Sequence, residues 1–190
     1  MTAYIADIGD IILGHSFRIA ITADGEGNFK VLPAKNIKRD GAIELHDLTT
    51  TFLEKTRTQA FVKNGDVLLS NRGTFRAALY RGEHQNLIAA SSVYIIRIYN
   101  TYEVMPEYLT VFLNSIAGQY ALGAMNRGTL IKSLPKRSLS ELLIPIPTTA
   151  KQKLIVDIYR NYQNRAKLYG RKTELEETIA NQVITSLFSH

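Results

Sequence analysis

The chain has no cysteine and no tryptophan, three methionines and five prolines in 190 residues. Without cysteine there is no disulfide, no thiol nucleophile and no thiolate metal site, and the four histidines, His15, His46, His84 and His190, are scattered, so a metal cluster would need folding to gather its ligands. No apolar run approaches the roughly 18 residues of a membrane span, and Met1–Asp7 lacks the basic and apolar regions of a signal peptide. These absences lead us to expect a cytoplasmic protein with no membrane partner. Catalytic signatures are also missing: there is no P-loop and no His-Glu-x-x-His. Gly25-Glu26-Gly27 lacks the third glycine of a dinucleotide fingerprint. No glycine-rich S-adenosylmethionine loop or Asn-Pro-Pro-aromatic motif is present. The expectation is a non-enzyme with no cofactor.

What is present is a net charge of +6, unevenly placed. Residues 1–66 hold eight Lys/Arg against nine Asp/Glu, residues 67–149 hold eight against four, and residues 150–190 seven against four. A basic central block suits a polyanionic partner. Three turn-like segments offer polar groups for one: Gly14-His15-Ser16-Phe17-Arg18, Ser70-Asn71-Arg72-Gly73-Thr74-Phe75-Arg76 and Asn126-Arg127-Gly128-Thr129. Asn, Arg, Ser and Thr supply both phosphate and base-edge chemistry. Each glycine also has a plainer use, as a positive-φ residue in a hairpin or a helix C-cap.

Turn formers at Ala23–Asn28 lie between β-prone runs and predict a hairpin. Residues 42–45 suggest a strand and 46–60 a loop. Val67–Ser70 and Phe75–Tyr80 form a strand pair, and Leu87–Tyr99 reads as one central strand. Apolar residues from Tyr108 to Met125 recur at helical spacing behind Pro106, a favourable first helical residue, and predict one helix. Strands crowd the first hundred residues and helices the rest, so the fold class is α+β, with a twisted, mainly antiparallel sheet and packed helices.

The strap Leu143-Ile144-Pro145-Ile146-Pro147 divides the chain. Residues 1–148 form the globular domain. Residues 149–190 contain no proline and form a C-terminal helix reaching nearly ~60 Å. Its stripe of Ile155, Ile158, Tyr162, Ala166, Tyr169, Leu175, Ile179, Val183 and Leu187 recurs every three or four residues and seeks another helix. Gly170 interrupts it. Either the helix is continuous and meets a second copy, or it turns at Gly170-Arg171 and packs on itself.

In combination these segments resemble a known family. Gly65-Asp66-Val67-Leu68-Leu69-Ser70-Asn71-Arg72-Gly73-Thr74 is similar to a signature of the specificity (S) subunits of type I restriction–modification systems. Pro106-Glu107-Tyr108-Leu109-Thr110-Val111-Phe112-Leu113-Asn114-Ser115 resembles their Pro-Glu-Tyr-Leu helix. Gly128-Thr129, the strap, Gln152 and Ile155-Val156 resemble their closing pattern. The order and spacing hold over residues 60–188. Two departures are Thr148–Lys151, where acidic residues are usual, and a shortened turn at Arg76-Ala77-Ala78.

The resemblance implies a target recognition domain followed by a spacer helix. Family S subunits carry two such units whose helices pair as an antiparallel coiled coil, each domain reading half of a bipartite DNA site. The subunit is non-catalytic and places methyltransferase (M) and restriction (R) subunits. One unit here implies a half-length form, natural or truncated, acting as a homodimer. On this basis the expected contacts with double-stranded DNA are Ser70, Asn71, Arg72, Thr74, Arg76, Arg127, Thr129 and Lys132, with Ser16 and Arg18 beside them. Dimerisation is expected at Ile155, Ile158, Tyr162, Tyr169, Leu175, Ile179, Val183 and Leu187. The alternative is a scaffold or decoy that binds M subunits without reading DNA.

Overall fold

The computed structural model describes residues 1–17, 27–46, 48–52, 58–82, 86–125 and 133–188. Its centre is an antiparallel sheet of β2 (Gly9–Leu13), β8 (Val93–Ile98), β5 (Val67–Ser70) and β6 (Ala77–Leu79), in that order. Leu68 pairs with Ile95 and Ile11 with Ile96. β5 and β8 read as unbroken apolar runs because both of their faces are covered, which removes the polar alternation of a half-exposed strand. Leu69 and Ile96 face a core with Leu109, Leu113, Leu122 and Leu139. Leu68 and Ile95 face the opposite core, with Leu32, Ile37 and Leu87.

That second core is roofed by a three-stranded sheet, β4 (Thr49–Thr51), β3 (Phe29–Leu32) and β7 (Leu87–Ala89). Here β3 and β7 run parallel, with Val31 opposite Ile88. The single strand expected over Leu87–Tyr99 is therefore two strands in two sheets. The chain changes sheets at Ala90–Ser92, where Val93 N–H donates to Ala90 O at 2.9 Å. Within the stretch read as loop, Thr49–Thr51 pairs antiparallel with β3, as three β-branched residues at a sheet edge can. The segment 42–45 forms only an isolated bridge, Ile37 to Ile43. The hairpin expected at Ala23–Asn28 lies largely outside the described residues.

The other core is covered by α1 (Ile5–Ile8), α2 (Pro106–Asn114), α3 (Ile116–Ala124) and α4 (Lys136–Ser140). The one helix expected behind Pro106 is broken at Ser115, which has extended ψ of 162°. Its hydroxyl donates to Phe112 O at 2.6 Å and accepts from Gly118 N–H at 3.1 Å, ending one helix and capping the next. A Cβ on Gly118 would lie 2.0 Å from Phe112 O. Gly118→Ala is thus expected to cost about 2 kcal/mol through forced separation of the two helices, read as a lower urea midpoint; an unchanged midpoint would refute the close approach.

Both ends of the globular part meet in a ribbon. β1 (Thr2–Tyr4) pairs antiparallel with the strap β9 (Leu143–Pro145), and Ile146 N–H donates to Met1 O at 2.7 Å. From the strap, α5 (Thr149–Phe188) runs as one helix of 40 residues, about 60 Å long. It passes straight through Gly170, so the helical hairpin does not form: a single glycine costs only ~1 kcal/mol relative to alanine.

The root of α5 is fastened by Gln152, which is fully buried. Its amide donates to Glu103 O at 2.7 Å and to Pro147 O at 3.0 Å, while its oxygen accepts from Met105 N–H at 2.9 Å. Val156 is buried beside it, and Gln163 donates to Asp40 O. Beyond Gln163 every residue to Phe188 is exposed.

Candidate nucleic-acid interface

In the order β2-β8-β5, the C-terminal ends of β2 and β5 and the N-terminal end of β8 lie at the same end of the sheet. Gly14–Phe17, Asn71–Phe75 and Ala90–Ser92 emerge there together. Gly14 N–H donates to Val93 O at 3.0 Å and His15 N–H to Ala89 O at 2.7 Å. Asn71 N–H donates to Ser92 O at 3.0 Å, and its side-chain amide to Ser91 O at 2.8 Å. A fourth segment is drawn in: Arg72 bridges Ser133, and Leu134 N–H donates to Asn71 O at 2.9 Å. The Tyr94 hydroxyl donates to Leu134 O at 2.9 Å. Two of the three turns singled out in the sequence thus form one edge, and the residues that follow the third are paired to it.

The turn after β5 is closed from within. Ser70 Oγ donates to Thr74 O at 2.7 Å and accepts from Arg76 N–H at 2.8 Å. Gly73 has φ of +70° with nothing within 4 Å of a would-be Cβ, so backbone conformation rather than space selects glycine. Phe75 is buried, and Gln119 of α3 donates to its carbonyl at 2.9 Å. Asn114 brackets the returning strand, its side-chain oxygen accepting from Ala77 N–H and its amide donating to Ala77 O. The tip is therefore rigidly mounted.

At that tip Arg72 and Thr74 are exposed, and Ser16 is exposed on the neighbouring segment. Arg72 lies near enough to Tyr94 for its charge to oppose the upward shift that burial imposes on that phenol. Ser70 and Asn71, expected to touch DNA, are buried and face inward because their polar groups close the turn and hold the Ser91–Ser92 bend. Arg76 is half-buried and donates to Ile37 O at 3.3 Å, back towards the second sheet. Arg18, Arg127, Thr129 and Lys132 lie outside the described residues. Sequence reasoning named His15 only as part of its turn and missed Ser91 and Ser133, which share this edge. Ser91 was assigned to the interior of a strand, and only register shows otherwise.

On α5, Ile155 is half-buried, while Ile158, Tyr162, Tyr169, Leu175, Ile179, Val183 and Leu187 are exposed. Among the described residues no three His, Cys, Asp or Glu side chains gather as metal ligands, and no helix is long and apolar enough to cross a membrane.

The sequence profile of the type I restriction modification DNA specificity domain matches residues 2–183. The chain belongs to that family. Its fold is similar to solved structures: the type I S subunit from M. genitalium (16% identity, TM-score 0.59, 88% of this chain and 40% of that one) and the HsdS subunit from Thermoanaerobacter tengcongensis (18%, 0.61, 90% and 39%). A third is a chain from a structure of type I R-M complex assembly and conformational transition (17%, 0.61, 90% and 40%). The specificity domain described here spans about two fifths of the length of these solved chains. No curated protein matches it.

The motifs that carried the resemblance can now be read physically. In Gly65–Thr74, Gly65 turns with φ of +89°, Asp66 is buried against Arg97, and Val67–Leu69 form the core of the sheet. In the Pro106–Ser115 segment, Glu107 pairs with Arg81 at 2.6 Å and Tyr108 donates to Pro145 O at 2.6 Å. Leu109 and Leu113 fill the core. Gln152 fastens the helix. The signature is mostly scaffold, and within Gly65–Thr74 the exposed side chains are those of Arg72 and Thr74.

Proposed function

We propose that this specificity domain is the non-catalytic DNA-recognition subunit of a type I restriction–modification complex. It reads one half of a bipartite target and places the methyltransferase and restriction subunits. The observation that carries this reading is the convergence of 14–17, 71–75, 90–92 and 133–134 at one sheet end, with Arg72 and Thr74 at the tip. Glycine lets the backbone come close there, and an arginine fork is the commonest specific reader of guanine. Arg18, Arg127, Thr129 and Lys132 remain candidate contacts from their place in the sequence. Residues 1–148 are the reader, and residues 149–190 are the spacer through which two copies pair.

Two identical readers related by a twofold axis would select a palindromic, interrupted site, because the symmetry of the protein is mirrored in the DNA. The test is to express the chain with its methyltransferase subunit and map methylated adenines across the genome. A symmetric motif with an unread gap is expected. An asymmetric motif, or methylation that ignores sequence, would overturn the proposal.

A further inference from the structure

The exposed seam of α5 has a polar middle between apolar ends. Ile158 and Tyr162 stand at one end and Ile179 and Val183 at the other, all exposed. Between them, in the same heptad phase, come Arg165, Tyr169, Lys172 and Glu176. Near the root, Ile158, Tyr162, Arg165 and Tyr169 line one open recess along the helix. Arg165 has no ion pair among the described residues, whereas Lys172 and Glu176 lie 3.5 Å apart one turn from each other. Charged residues at seam positions destabilise pairing unless each meets a complement, so their order constrains what covers them.

For the antiparallel pairing of two α5 helices that the family resemblance implies, we infer the register from this pattern: the twofold axis lies between Gly170 and Arg171. This rests on the homodimer proposed above and adds its register. In it Ile158 meets the partner's Val183, and Tyr162 meets the partner's Ile179. Arg165 meets the partner's Glu176, and Lys172 lies over the ring of the partner's Tyr169, a cation–π arrangement. Beside the seam, Leu168 meets the partner's Leu175.

Every other simple arrangement leaves a charge uncompensated. A shift of one heptad in one direction sets Arg165 against the partner's Val183, and in the other sets Glu176 against the partner's Ile158. A parallel pair stacks Arg165, Lys172 and Glu176 each on its own copy. One of those shifts also sets Lys172 against the partner's Glu176, but only in the inferred register does each of Arg165, Lys172 and Glu176 meet a complement while Ile158 faces Val183. It also places the two Gln152 anchors about 55 Å apart, from 37 intervening helical steps at ~1.5 Å each.

The test is a charge swap. Arg165 and Glu176 lie eleven residues apart, too far to pair within one helix. Intact wild-type chain is expected to sediment as a dimer at tens of micromolar. Arg165→Glu and Glu176→Arg should each raise the dimer dissociation constant at least tenfold, with helix content by circular dichroism retained. An equimolar mixture of the two variants should regain wild-type affinity, as should the double variant R165E/E176R.

If the wild type dimerises but neither single variant weakens it, or the mixture does not recover, the register is overturned while the homodimer stands. If the wild type is monomeric at that concentration, the homodimer reading itself fails and the register with it.

Discussion

Replacing Arg72 by lysine is expected to leave this specificity domain able to bind DNA but poorly able to choose among sequences. Lysine keeps the positive charge, so phosphate attraction and its salt dependence persist. It lacks the planar fork that engages two acceptors on one guanine edge, a contact worth roughly 1–3 kcal/mol of discrimination. The preference for the cognate site over random duplex should therefore fall about tenfold or more, measured by competition at one fixed salt concentration. Arg72→Glu should abolish detectable binding altogether. The side chain is exposed and the turn beneath it is closed by Ser70, Asn71 and Gly73, so neither change should disturb folding. Full discrimination by the lysine variant would remove Arg72 from base reading.

The largest stability effect is expected at Asp66. This carboxylate is 1% exposed and takes two hydrogen bonds from Arg97, at 2.8 and 2.7 Å, and a third from Lys63 N–H at 2.7 Å. The bond to Asp66 holds the Arg97 guanidinium above its ordinary pKa against the opposing effect of burial. Asp66→Ala takes the carboxylate from that guanidinium, leaving its bond to Phe61 O at 3.0 Å, and strands an amide N–H, which places the expected loss at about 3 kcal/mol. Replacing both partners with leucine should cost less than removing Asp66 alone, since no charge is then left uncompensated. Urea unfolding of the three chains settles it: equal stability of wild type and Asp66→Ala would show that the pair contributes nothing.

The family signature was readable in the sequence because its physics is local. β5 is an apolar run between Gly65, with positive φ, and a turn closed by Ser70, and no neighbour is needed to see it. The start of α5 was equally plain, since Pro145 and Pro147 forbid helix and nothing afterwards does. The division at Ala90–Ser92 was hidden because the residues there are small and neither Gly nor Pro marks the bend, while apolar residues continue on both sides into two different cores. The break at Ser115 was hidden for a similar reason: helical periodicity resumes at once beyond it.

The candidate site was legible by segment but not by side chain. Ser70, Asn71, Arg72 and Thr74 are adjacent in sequence and chemically suited to DNA. Whether a hydroxyl closes a turn or faces outward depends on register with Arg76 and Ser91, and register is a property of the assembled sheet. The convergence of residues 14–17 on the same edge likewise follows from β2 lying beside β8, a neighbour relation between segments some eighty residues apart.

The helix beyond Gln163 has a consequence of another kind. A segment of that length exposed at every residue is marginally stable in water, because helical order in proteins is supplied mainly by what packs against an apolar face. In the proposed homodimer, folding and association of residues 164–188 would be one equilibrium, tied to concentration by mass action. Scarce copies would then expose a fraying, protease-sensitive tail, and abundant ones would protect each other, so the lifetime of the chain would report how many of its kind are present.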